Sequence, residues 1–121
     1  MKAGNVLPVV VLLTGVALPA PLSAQGYPAK PIRVIVPFPA GGGSDFITRT
    51  INLRLPALLG QNLIIDNRGG AGGNIGAEIT AKSPPDGYTL LICHNSLNVN
   101  ASLYRQLPYD PFRGFVPISL I

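Results

Sequence analysis

Glycine is concentrated in two short stretches whose surroundings suit them for holding an anion. The first, Phe38-Pro39-Ala40-Gly41-Gly42-Gly43-Ser44-Asp45, stands one residue after the strand-like Ile32–Val36. The second, Arg68-Gly69-Gly70-Ala71-Gly72-Gly73-Asn74-Ile75-Gly76, comes just after Leu63–Asp66. Residues without a Cβ let backbone N–H groups approach a bound group closely, and a helix N-terminus carries positive partial charge. A strand, a glycine loop and a helix in that order make an anion site that needs no cationic side chain. Tight turning accounts for one or two glycines in each loop, not for three at 41–43 and five among positions 69–76. Two such loops in one small α/β unit suggest one ligand held from both sides.

Other chemistries fit less well. The Gly-x-x-x-x-Gly-Lys-Ser/Thr phosphate loop is absent, and Gly70–Gly76 misses the Gly-x-Gly-x-x-Gly dinucleotide spacing by one residue. His94 is the single histidine, and no second ligand stands at metal spacing from it, so no metal site is expected. Ser44, Asp45 and His94 lack the Gly-x-Ser-x-Gly elbow of a nucleophilic serine, and Ser44 reads more simply as a helix cap. No catalytic constellation emerges, and no cofactor is called for. Phe38 suits either a wall against a ligand or a core aromatic. Asn95 and Ser96 are candidate polar contacts, because ligands of open α/β sheets gather at the carboxyl ends of strands.

The elements that would position these residues alternate strand and helix. Arg33–Val36 is continuously apolar and β-branched after its arginine, as in a strand covered on both faces. Ser44 as N-cap and Asp45 in the first turn open a helix, with Ile47, Ile51, Leu55, Leu58 and Leu59 on one face. Pro56 predicts a break, or the start of a short last turn, and Gly60 predicts the stop. Leu63–Ile65 is a second strand, and a second helix is expected from about Gly72 to Lys82, halted by Pro84-Pro85 with Asp86-Gly87 turning. Tyr88–Cys93 is a third strand, with Cys93 expected as a buried, inert thiol. Residues 94–115 read as irregular, with a possible helical turn over Ala101–Gln106, and Val116–Ile121 reads as a fourth strand in which the chain stops. Short right-handed crossovers then give a mostly parallel sheet flanked by helices. Both glycine loops and His94–Asn98 would converge on one rim.

The N-terminus has the pattern of an export signal: Lys2, the apolar Val6–Leu18, and the small residues Ser23 and Ala24. The apolar run is short and broken by Pro8 and Gly15, whereas a bilayer span needs about 20 apolar residues. Cleavage near Ala24 is expected, with no lasting membrane insertion. Part of the mean hydropathy of +0.38 belongs to this segment. Without residues 1–24, 97 of the 121 residues remain, and without Lys2 the net charge falls from +4 to +3. The cations are scattered rather than clustered, which suits small anions and argues against nucleic acid. A single cysteine cannot form an internal disulfide.

Seven blocks in order give the chain a family likeness. They are Tyr27–Arg33, Val36–Asp45, Leu59-Gly60-Gln61, Asp66-Asn67-Arg68, Gly70–Ala77, Pro85–Leu91 and Leu107–Pro111. The chain closely resembles the periplasmic solute receptors of tripartite tricarboxylate transporters, the Bug proteins. The resemblance implies a type II periplasmic-binding-protein fold of two α/β lobes, with residues 25–121 supplying the first segment of one lobe. It implies a small carboxylate gripped by backbone amides and ordered water of the two loops, which map onto Phe38–Asp45 and Gly70–Gly73. It also implies membrane-transporter subunits as partners. Gly69 departs from the proline common after the Asn-Arg pair, and Pro84 precedes the usual Pro85. An exported enzyme acting on an anion, or a sensory ligand-binding module, remains the alternative reading.

Overall fold

A computed structural model describes residues 26–121. The export signal and its cleavage point lie outside these described residues.

Three parallel strands form the centre. β1 (Ile32–Val36) lies between β2 (Leu63–Asn67) and β3 (Thr89–Leu91), so the sheet order is β2-β1-β3. The register pairs Ile32 with Leu63 and Val36 with Asn67 on one side of β1, and Arg33 with Thr89 on the other. Being central, β1 buries four of its five side chains, which is why its sequence shows no polar alternation. Arg33 is the exception. Its guanidinium holds the Asp66 carboxylate of β2, which also accepts from Arg68 Nε at 2.9 Å. Arg33 first, and then Arg68, hold the Asp66 carboxyl below its ordinary range.

After β1 the chain passes through α1 (Gly43–Asn52) and α2 (Leu55–Leu59) to β2, then returns through α3 (Asn74–Ala81) to β3. The first crossover runs to one side of β1 and the second to the other. With the same handedness, their helices cover opposite faces. Leu55 and Leu59 pack on Ile32, Val34 and Leu63, forming the apolar core of one face. On the other face α3 meets β1 so closely that Gly76 has no room for a Cβ beside Pro37. α4 (Ser96–Leu103) closes the described structure.

Several expectations hold in detail. The long helix is interrupted at Leu53-Arg54, and Pro56 stands in the first turn of α2. Gly60 ends that helix at φ 69°, its N–H donating to Pro56 O at 2.9 Å. Asp86-Gly87 turns the chain, with Gly87 at φ 80° and the Tyr88 N–H donating to Asp86 Oδ1.

Five expectations are corrected. Ser44 is not the N-cap: Gly42 is, without a side-chain bond, and Ser44 is a buried first-turn residue. The inward face of α1 therefore centres on Thr48, only 1 % exposed, whose hydroxyl donates to Ser44 O at 2.6 Å. Ile47 and Leu58, expected on that face, are exposed. The helix expected at Ala101–Gln106 begins earlier, at Ser96, because its buried residue is Asn100 rather than an apolar one. Val116–Ile121 is exposed coil, not a strand, since no neighbouring strand among the described residues pairs with its backbone. Finally, Cys93 is exposed, because β3 ends at Leu91 and the chain has left the sheet. Partial desolvation still raises the thiol's pKa, keeping it protonated at neutral pH.

Candidate functional site

Because the strands are parallel, the segments after β1, β2 and β3 emerge at one end of the sheet, as expected from the sequence. They are tied together there. The Arg68 N–H donates to Val36 O at 2.8 Å, and Asn67 Nδ2 donates to Phe38 O at 3.1 Å. A Cβ on Gly69 would stand 3.3 Å from Pro39, and one on Gly73 would stand 3.5 Å from the Phe38 ring. The second loop therefore packs along the first. The segment after β3 joins through His94, whose ring stacks on Phe38 with centroids 4.4 Å apart and planes 20° from parallel.

The first loop is held open by Asp45. This carboxylate, 2 % exposed, accepts from Gly41 N–H at 2.8 Å and Arg49 Nε at 2.8 Å, and through its other oxygen from Asn67 Nδ2 at 3.1 Å. Its charge is thus spent inside the loop and balanced by Arg49. The Arg49 bond first, and then that of Gly41, lower its pKa to about 2. A carboxyl with a folded value below the unfolded value of about 3.9 stabilises the fold fully above that unfolded value. The contribution falls away as pH drops through the folded value. Asp45→Asn is therefore expected to lower the melting temperature at pH 7, with the difference from the parent shrinking between about pH 4 and pH 2. Melting curves across that range check it, and a pH-independent difference would contradict it.

With Asp45 engaged below, the amides of the first turn of α1 remain. Among the described residues, the N–H groups of Gly43, Ser44 and Asp45 donate to no chain acceptor, and the Ser44 hydroxyl has no partner either. Gly42 N–H makes one long bond to Pro39 O at 3.3 Å. Of these residues, Gly42, Gly43 and Ser44 border a cavity of about 410 Å³ whose lining is completed by Phe38, Pro39, Ile47 and His94. Unpaired N–H groups at a helix start, beside an apolar wall, form an environment that stabilises a small anion.

The cavity thus gathers Phe38, Gly42, Gly43 and Ser44 from the expected residues. Ala40 and Gly41 lie exposed on the loop's outer turn, and Asp45 serves the loop from beneath. Gly70, Ala71, Gly72 and Gly73 do not line the cavity. They form a run of four positive φ angles, 129°, 48°, 65° and 94°. Ala71 is the one non-glycine among them, in a region that L side chains seldom adopt. α4 braces this run: Asn100 Nδ2 donates to Gly72 O at 3.0 Å, and the Tyr104 hydroxyl to Ala71 O at 3.3 Å. Asn100 also donates to Asn74 Oδ1 at 2.8 Å, which accepts from the Tyr109 hydroxyl at 2.7 Å. Asn95 is exposed as the N-cap of α4, and the Ser96 hydroxyl lies 3.6 Å from where a Gly73 Cβ would stand.

His94, Pro39 and Ile47 were not singled out as site residues by sequence reasoning. For His94 a signal existed, since it precedes Asn95 at the same strand end. Among the described residues no three of His, Cys, Asp or Glu cluster as a metal site, and no helix is long and apolar enough to cross a membrane.

Comparison with known proteins decides the family. The model of the tripartite tricarboxylate transporter family receptor matches residues 47–121. The chain belongs to that family. Protein BugT of Bordetella pertussis is 45 % identical over 118 residues, covering 96 % of this chain and 36 % of BugT. Among solved structures, the periplasmic binding protein BugD superposes with a TM-score of 0.73 at 39 % identity, covering 76 % of this chain and 31 % of BugD. MatC of Rhodopseudomonas palustris with bound malate gives a TM-score of 0.71 at 36 % identity, covering 75 % and 31 %. The chain thus spans about a third of the length of these receptors and shares the periplasmic-binding-protein fold over that part.

Proposed function

We propose that this receptor-family chain forms the carboxylate-gripping part of a two-lobed periplasmic solute receptor, which delivers its ligand to a tripartite membrane transporter. In this reading residues 1–24 direct export and are removed, and residues 25–121 belong to the first lobe. The observation that carries it is the unpaired first turn of α1, where Gly43 and Ser44, whose N–H groups have no chain acceptor, border a cavity with no Lys or Arg in its lining. The aligned peptide dipoles of a helix favour negative charge at that end, most strongly where burial limits screening. The ligand's carboxylate sits against Gly42, Gly43 and Ser44, with Phe38 as a wall. Gly70–Gly73 approach from the second loop, and Asn95 and Ser96 stand at the rim. Membership of a family that includes a malate-bound receptor supports a carboxylate over other anions. No step of chemistry on the ligand is assigned.

Calorimetric titration tests this with the protein expressed from its complete reading frame. Malate and its diamide have nearly the same shape, but only malate carries carboxylates. Saturable binding of malate or a related carboxylate, none of the matching amide, and recovery of the ligand unchanged are expected. Equal binding of the amide, or conversion of the acid, would contradict the reading.

A further inference from the structure

The unpaired amides form one side of the cavity, and its remaining lining has a character of its own. Pro39 and Ile47 offer no hydrogen-bonding side-chain atom, and Phe38 and His94 present two near-parallel rings. Apart from Ser44, the imidazole is the sole polar side chain in this lining. Hydroxyl groups on a ligand's body would lose water here and find almost nothing in exchange. A flat, unsaturated body loses little on leaving water and gains ring-to-ring contact, which aromatic pairs favour in offset-stacked geometry. The platform is also held from behind. The position of a Gly73 Cβ lies 3.5 Å from Phe38 Cζ, so the left-handed backbone there lets the second loop back the ring.

We propose that Phe38 and His94 form a stacking platform that selects planar carboxylic acids, in which the carboxyl is conjugated to an aromatic ring or a double bond. His94 is the specificity-determining residue of the pair. The inference rests on the carboxylate reading above and adds what the carboxyl is attached to. The exposed imidazole contributes its outer face to the ligand's plane, while its inner face is fixed against Phe38. Because His94 is exposed and its side chain makes no hydrogen bond among the described residues, its removal leaves the core intact.

The test compares benzoate with cyclohexanecarboxylate, which share carbon count and charge but differ in planarity. Both are titrated calorimetrically into the protein expressed from its complete reading frame. The parent is expected to bind benzoate roughly tenfold more tightly, as stacking contacts of this kind allow. His94→Ala should reduce benzoate affinity about five- to tenfold, leave cyclohexanecarboxylate within about twofold, and His94→Phe should restore the preference. Equal affinities in the parent, a preference that survives His94→Ala, or no benzoate binding would each overturn the platform. Gly42→Val separates this inference from the one beneath it. If both acids are lost in that variant while the parent shows no preference, the carboxylate anchor stands and the platform falls. If benzoate binds undiminished to Gly42→Val and its preference still depends on His94, the anchor falls and the platform stands.

Discussion

Gly42→Val is expected to weaken carboxylate binding about a hundredfold while leaving the fold in place. Hydrogen bonds to a charged group are worth about 1.5–3 kcal/mol each, and every 1.4 kcal/mol is tenfold in affinity. Gly42 lines the cavity directly before the unpaired amides of Gly43 and Ser44. A branched side chain there would hold the carboxylate away from at least one of them. The backbone tolerates it, because Gly42 has φ −79° and ψ 172°, ordinary extended values. Its Cβ would stand 3.3 Å from Pro39 O, on an exposed turn that can give by a few tenths of an ångström. Gly72→Val is a poorer probe, since φ 65° at that position would add strain of its own. Calorimetry and a thermal melt of the same variant check both halves, and undiminished affinity would remove Gly42 from the site.

The second large effect concerns stability. Alanine for glycine within a helix ordinarily helps by about 1 kcal/mol. At Gly76, inside α3, the sign is expected to invert. An added Cβ would lie 2.7 Å from Pro37 Cβ, 2.9 Å from Pro37 Cα and 3.1 Å from Arg68 O. Two of these are backbone atoms, and the third belongs to a ring that cannot rotate away. Overpacking of this kind costs about 1–3 kcal/mol, and the rigid neighbours put Gly76→Ala toward the upper end. Pro37 leads directly into Phe38, so the displaced segment carries the cavity wall with it. Denaturant unfolding should show a lower midpoint for Gly76→Ala, and ligand affinity should fall as well. An unchanged or raised midpoint would show that α3 can move off the sheet without penalty.

The parts of this structure that were legible in the sequence share a physical reason. Val34–Val36 lies in the middle of the sheet, so burial on both faces wrote a continuous apolar run. Pro56 and Gly60 act through their own backbone restrictions, which hold in any surroundings. The misreadings arose where tertiary contacts override a residue's local habit. Ser44 has the chemistry of a cap, yet it stands two positions past the Gly42 cap, and its backbone carbonyl accepts from the Thr48 hydroxyl. α4 lacks an apolar stripe because its inward side is given to Asn100, whose amide serves Gly72 and Asn74 more than twenty residues away. Val116–Ile121 has the composition of a strand but no neighbour among the described residues.

The candidate site divides in the same way. Glycine loops at strand ends are local patterns, so their placement at one rim followed from a parallel sheet. The part played by Asp45 is half local, through Arg49 one turn on, and half remote, through Asn67 of β2. Nothing in the sequence sets Asn67 beside it. Likewise, the stacking of Phe38 on His94 joins residues from β1 and β3 loops, and becomes visible only when those strands lie side by side.

Amide chemical shifts during a carboxylate titration test the central claim most directly. In the protein expressed from its complete reading frame, the N–H resonances of Gly43 and Ser44 should move downfield saturably as the acid binds. The matching amide ligand should leave them in place. The Gly41 N–H, already donating to Asp45, should move far less. Saturable binding that leaves Gly43 and Ser44 unmoved would contradict the claim that the first turn of α1 grips the carboxylate.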